Sequence, residues 1–127
     1  MASILIAEDE RDIRDLIKFT LTYAGHDVTT ASDGQQAVEL AAEIMPDLVM
    51  LDLQMPKLNG FQACQAIKGD DRTGDLPVVF LSAKGPEAED EQIEETGAIG
   101  FIMKPFSPDD LASRVNEILK QIGVAKS

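Results

Sequence analysis

The chain has 127 residues, 44% of them apolar, with 23 Asp and Glu against 11 Lys and Arg and a formal net charge of −12. That length and apolar content fit one globular domain burying about two-thirds of its unfolded-chain surface without staples, and exclude a disordered segment. The charge argues against free DNA or RNA as a partner, since phosphate contacts need clustered Lys and Arg, and suits divalent cations, basic protein surfaces or plain solubility.

The opening MASILIAEDE has no basic region before its apolar run and meets acid at Glu8, so it does not read as a signal peptide. No apolar run approaches the roughly 18 residues of a membrane span, and a reducing, cytoplasmic setting is expected. Ser3–Ala7 reads as a first strand, and Glu10–Ala24 as a helix with Ile13, Leu16, Ile17 and Leu21 on one face, stopped by Gly25. His26, the lone histidine, precedes the next strand and reads as a solvated loop residue; with one His and one Cys (Cys64), multi-His and Cys-based metal sites are excluded. Val28–Ala31 is a short strand, and Ser32-Asp33-Gly34 turns into a helix over Gln35–Ile44 that ends at Pro46.

Leu48–Leu51 is an unbroken apolar run, the pattern of a strand buried on both faces, and Asp52 follows it at once. A third helix covers Phe61–Lys68, a polar loop Gly69–Leu76, and a fourth strand Val78–Leu81. Pro86–Thr96 reads as a helix, Ile99–Met103 as a strand and Pro108–Ile122 as the last helix. Residues 1–122 form one domain and 123–127 a short tail in this reading. Five strands each followed by a helix, (βα)5, imply an α/β doubly wound, five-stranded parallel sheet covered on both faces. Ligands in such folds sit at the carboxyl ends of the strands, near the switch in strand order.

Four strand ends carry chemistry. The first runs into Glu8-Asp9, the third into Asp52, the fourth into Ser82, and the fifth is followed by Lys104-Pro105. Singly these could be helix-start acids, a capping serine and a solvated lysine. Asp52 after a buried strand is harder to explain that way, because a buried carboxylate is costly unless paired or metal-bound. Three hard oxygen donors without His or Cys favour Mg²⁺ over zinc. A lysine and a hydroxyl opposite could bind phosphoryl oxygens, with Asp52 as nucleophile. No GxGxxG turn or P-loop supports a nucleotide cradle.

The chain resembles the receiver domain of two-component response regulators, the family that includes the bacterial chemotaxis receiver. The resemblance runs from about Ser3 to Ile122 on AEDE at 7–10, LDLQMPKLNG at 51–60, LSAK at 81–84 and KPF at 104–106. It implies a flavodoxin-like strand order 2-1-3-4-5. It also implies that Asp52 accepts a phosphoryl group from a histidine kinase or phosphotransfer protein, with Asp9 ligating Mg²⁺ directly, Glu8 through a water, and the Gln54 backbone carbonyl adding a ligand. By the same resemblance Lys104 binds the Asp52 carboxylate and then the phosphoryl group, and Ser82 and the Ala83 backbone N–H close on phosphoryl oxygens. The resemblance further implies a cis Lys104-Pro105 bond that would aim the lysine inward. Phe101 stands where the family's switch aromatic, commonly a tyrosine, swings as Ser82 moves. Gln54 and Lys84 occupy positions that tune phosphoryl lifetime. Such a protein is a phosphorylation switch acting on an unnamed downstream protein, and not an enzyme beyond self-catalysed phosphoryl transfer and slow autodephosphorylation.

Two enzyme or cofactor readings fit less well. A haloacid-dehalogenase-type phosphatase needs a second Asp two residues after the first, where this chain has Gln54. A flavodoxin-like cofactor binder needs a phosphate loop after the first strand. A non-phosphorylated receiver-like interaction module, or a receiver fragment of a longer regulator, are the remaining alternatives to a stand-alone receiver. Glu87, Glu89, Asp90, Glu91, Glu94 and Glu95 crowd the predicted fourth helix, so a symmetric dimer through it is not expected and a monomer is. Arg11, Arg14 and Lys18 recur at helical spacing as a candidate docking stripe for the kinase. The local alternative pairs Glu10 with Arg14 and Arg11 with Asp15.

Overall fold

Leu48, Val49, Met50 and Leu51 have no exposed surface and Asp52 is only 6% exposed, because the strand they form lies at the centre of a sheet. The computed structural model describes residues 2–53, 55, 57–82, 97–104 and 106–123, with the Ser82 side chain excepted. The described elements are β1 (Ser3–Ala7), α1 (Arg11–Tyr23), β2 (Asp27–Ala31), α2 (Gly34–Ile44), β3 (Leu48–Asp52), α3 (Gly60–Gly69), β4 (Val78–Ser82), β5 (Gly100–Met103) and α4 (Pro108–Gln121). The predicted helix over 86–96, with its acidic residues, lies outside the described residues, as do Gln54, Ala83, Lys84, Pro105 and residues 124–127.

All strand pairs are parallel, in the order β2-β1-β3-β4-β5, the expected flavodoxin-like arrangement. Because alternate residues of a strand face opposite sides, each strand feeds two cores. Leu5, Ala7, Val49, Leu51, Val78 and Phe80 pack beneath α2 and α3 with Ala37, Ala41, Ala63 and Ile67. Ile4, Ile6, Leu48, Met50, Val79 and Leu81 pack beneath α1 and α4 with Ile17, Leu21, Leu111, Val115 and Leu119. Central parallel strands are apolar throughout for this reason.

Local chemistry sets the helix starts. The Asp33 carboxylate accepts from the Gln36 N–H at 2.8 Å to start α2. Asn59 and Gln62 form a reciprocal capping box on α3 at 3.0 and 2.9 Å. The Ser107 hydroxyl accepts from the Asp110 N–H at 3.1 Å ahead of α4, which begins with Pro108. α1 differs, since its N-cap Glu10 makes no side-chain cap bond.

The structure corrects several expectations. Leu16 is 38% exposed and flanks the core face of α1, where Thr20 is buried beside Ile17 and Leu21. His26 is not a solvated loop residue. It is half-buried, its Nδ1 accepts from the Ala2 N–H at 3.3 Å, and its Nε2 lies 3.2 Å from Asn116 Oδ1. Asp52 and Ser82 are the last residues of their strands, not the first after them. Among the described residues, no helix is long and apolar enough to cross a membrane.

Candidate active site

Strand register alone brings the site together. Ala7 is level with Leu51, Asp52 with Leu81, and Ser82 with Met103. The residues that follow these rows (Glu8 and Asp9 after β1, Lys104 after β5) therefore emerge at the same carboxyl edge as Asp52.

Glu8 is 1% exposed, and each of its polar groups has a partner. Its N–H donates to the Ala31 carbonyl at 3.1 Å, extending the β1–β2 ladder by one residue. Its Oε1 accepts from Lys104 Nζ at 2.9 Å and its Oε2 from the Glu10 N–H at 3.1 Å. Its carbonyl accepts from Arg14 Nη1 at 3.0 Å. Lys104 also donates to Asp52 Oδ2 at 3.0 Å, so one ammonium bridges two buried carboxylates. Asp9 is exposed, yet Glu8, Asp9 and Asp52 each present a carboxylate oxygen within 4.8 Å of the others.

The electrostatics follow from this crowding. Burial lifts the Glu8 carboxyl most, Lys104 pulls it back, and the neighbouring Asp52 carboxylate lifts it again, to about 7. Burial works against the Lys104 ammonium, but the hydrogen bonds it donates to Glu8 and Asp52 outweigh that and hold its pKa above the usual lysine value. Three carboxylates facing one ammonium leave the edge net negative. A hard divalent cation suits that all-oxygen donor set, and Mg²⁺ does so without nitrogen or sulfur ligands.

At the start of α3 the chain returns to the end of β3. The Gly60 N–H donates to the Leu53 carbonyl at 3.0 Å. A Cβ on Gly60 would stand 2.6 Å from the Asp52 carbonyl oxygen and 2.8 Å from Leu53 Cα, so only glycine fits. Gly34 is equally confined by Leu58, whose Cβ would lie 2.6 Å from an added Cβ. Lys57, with φ of 68°, pairs with Asp33 at 3.8 Å and ties the loop to the start of α2.

Of the residues expected at the site, Glu8, Asp9, Asp52 and Lys104 stand together. Ser82 ends β4 at the same edge. Phe101 is half-buried, level with Phe80 in the sheet, and packs against the core under α2 and α3. Gln54, Ala83, Lys84 and the Lys104-Pro105 bond lie outside the described residues. Arg11 lies 3.8 Å from Asp15, as the local alternative expected, whereas the Arg14 guanidinium turns to the Glu8 carbonyl. Neither that contact nor the Lys104–Glu8 bond has a signature in the sequence. Both depend on where a loop is placed in space.

Comparison with known proteins adds the following. A family model described as the response regulator receiver domain matches residues 4–116. The DNA-binding dual master transcriptional regulator RpaA of Synechocystis sp. is 40% identical over 95% of this chain and 50% of its own length. The chain thus spans about half the length of the curated relatives it matches. Among solved structures, the chemotaxis response regulator CheY4 of Vibrio cholerae superposes with a TM-score of 0.88 at 31% identity, covering 94% of this chain and 99% of that one. The receiver domain of the sensor histidine kinase PA1611 from Pseudomonas aeruginosa PAO1, with a magnesium ion coordinated in its active site cleft, has a TM-score of 0.82 at 27% identity and covers 94% and 95% of the two chains.

Proposed function

The chain belongs to the response regulator receiver family, and from that membership we propose that Asp52 is the acceptor of a phosphoryl group delivered by a histidine kinase or phosphotransfer protein. The single observation that carries the reading is the Lys104 ammonium 3.0 Å from the buried Asp52 carboxylate, with two further carboxylates beside it. An Asp52 oxygen attacks phosphorus, the donor's N–P bond breaks as the new O–P bond forms, and the imidazole leaves with the electron pair. Glu8, Asp9 and Asp52, with the Gln54 carbonyl, would hold Mg²⁺, which supplies positive charge against the phosphoryl oxygens. Lys104 holds Asp52 before transfer and then neutralises the phosphoryl group. Ser82 and the Ala83 N–H bind the remaining oxygens.

In this reading Ser82 and Phe101 form the switch and Gln54 and Lys84 set the phosphoryl lifetime. Residues 1–122 make up the receiver unit, working in the cytoplasm on a downstream protein. Exposed Arg11 and Lys18, with half-buried Arg14, face the incoming kinase. The test is intact mass after incubation with acetyl phosphate, with and without Mg²⁺, on wild type and Asp52→Ala. A Mg²⁺-dependent gain of one phosphoryl group, absent from the variant, supports the reading. No gain under any condition replaces it with a fold-only interaction module.

A further inference from the structure

Arg14 makes a bond that the phosphoryl chemistry above does not use. From the end of β1 at Ala7 the chain has three residues, 8–10, in which to cross the sheet edge and enter α1. Those residues carry two of the three clustered carboxylates. Glu8 is fastened into the sheet edge through Ala31 and Lys104, but Asp9 is exposed and sits on the turn itself. The N-cap residue Glu10 makes no side-chain cap bond, and within the turn the Glu8 Oε2 accepts from the Glu10 N–H at 3.1 Å.

Arg14 adds a side-chain tie to this turn. Its main-chain N–H makes the ordinary first-turn helix bond to the Glu10 carbonyl at 2.9 Å, while its guanidinium reaches back to the Glu8 carbonyl at 3.0 Å. The half-buried Arg14 side chain therefore ties the start of the turn that presents Asp9 to the helix that follows it. We propose that Arg14 is a positioning residue for the divalent-cation site, holding Asp9 in register with Asp52 by clamping the Glu8 carbonyl; the inference rests on the reading of Glu8, Asp9 and Asp52 as that site.

Two effects of removing Arg14 oppose each other. Loosening a group that orients metal ligands weakens metal binding, typically by about tenfold or more. Losing a nearby positive charge strengthens it. Salt separates the two. At about 0.5 M salt the screening length is only about 4 Å, so the charge effect fades while the geometric loss survives.

The experiment is calorimetric titration of Mg²⁺ into wild type, Arg14→Ala, Arg14→Lys and Lys120→Ala, at low salt and at about 0.5 M KCl. Lys120 is exposed near the far end of α4 and controls for lost charge. Acetyl phosphate labelling of Asp52 as a function of Mg²⁺ concentration runs alongside. The expected result at high salt is an approximately tenfold weaker Mg²⁺ affinity for Arg14→Ala, partly recovered in Arg14→Lys and absent in Lys120→Ala. The Mg²⁺ concentration giving half-maximal labelling of Asp52 should rise by about the same factor as the Mg²⁺ dissociation constant, which a general loss of folding would not produce. Wild-type Mg²⁺ binding in Arg14→Ala overturns the inference alone, including the case where only transfer from a kinase slows. A saturating labelling rate that falls together with thermal stability also overturns it. Failure of wild type to bind Mg²⁺ removes the site reading and the inference with it.

Discussion

Lys104 is the residue on which the resting site depends. It is the shared partner of two carboxylates whose side chains are 1% and 9% exposed. Taking one partner from a buried ion pair costs far more than the pair itself contributes, because a charge is left without water or counterion. Lys104→Ala should therefore lower metal-free stability by about 2–4 kcal/mol, and millimolar Mg²⁺ should restore part of it by binding the folded state. Denaturant melts with and without chelator measure both, and an unchanged midpoint in chelator would show that the carboxylates are solvated. Glu8 gives a pH test in the same metal-free buffer. Its pKa rises from 4.5 to about 7 on folding, so the folded state binds the extra proton between those values. The stability this contributes is complete below about 4.5 and is lost as pH climbs through about 7. Glu8→Gln should flatten that slope, which melts at intervals across the window would reveal.

At the scale of elements, the connections after β3 and into α2 are built on glycines whose importance is spatial. Gly→Ala near a helix start ordinarily helps by about 0.4–1 kcal/mol through the unfolded state. At Gly60 the added methyl meets the Asp52 carbonyl and Leu53 Cα, both main-chain atoms that cannot swing aside. At Gly34 it meets the Leu58 main chain. The clash outweighs the entropic gain at both positions, so each Gly→Ala should destabilise, by about 1–3 kcal/mol. Gly60→Ala should also slow acetyl phosphate labelling, because its clash pushes on Asp52, the proposed acceptor. Equal stability with equal labelling would mean that the loop relaxes freely. The sequence shows part of this. A helix over Phe61–Lys68 is expected from the sequence, but the Asn59–Gln62 capping box and the packing of Gly60 against Asp52 are seen only in the structure. Boundaries moved by a residue or so for the same reason: Asp52 and Ser82 continue their strands because neighbouring strands pair with them.

Across the whole molecule, the strand pattern and the chemistry at strand ends were legible because period and burial are local signals, and a parallel sheet delivers every carboxyl end to one edge. What escaped were contacts made by long side chains across sequence, such as Lys104 to Glu8, 96 residues apart, and Arg14 to Glu8. His26 escaped likewise, its partners Ala2 and Asn116 lying at opposite ends of the chain. Charge behaves in the opposite way, since it is read best as a total and acts over the whole surface. A protein with a net charge of −12 offers few places where an acidic patch on a partner can land. Arg11 and Lys18 stay exposed on α1, the helix that leaves the carboxyl edge of the sheet, while Arg14 is half-buried and occupied with Glu8. Attraction at such rim charges acts chiefly on encounter, so reversing them should change the association rate and its salt dependence more than the chemistry. Lys18→Glu should slow transfer from the cognate kinase by about tenfold at low salt, with the deficit shrinking as salt rises. Labelling by acetyl phosphate, which needs no docking surface, should match wild type. A kinase rate indifferent to Lys18→Glu at every salt concentration would remove this end of α1 from the docking surface, whereas a parallel loss with acetyl phosphate would place the damage in the site itself.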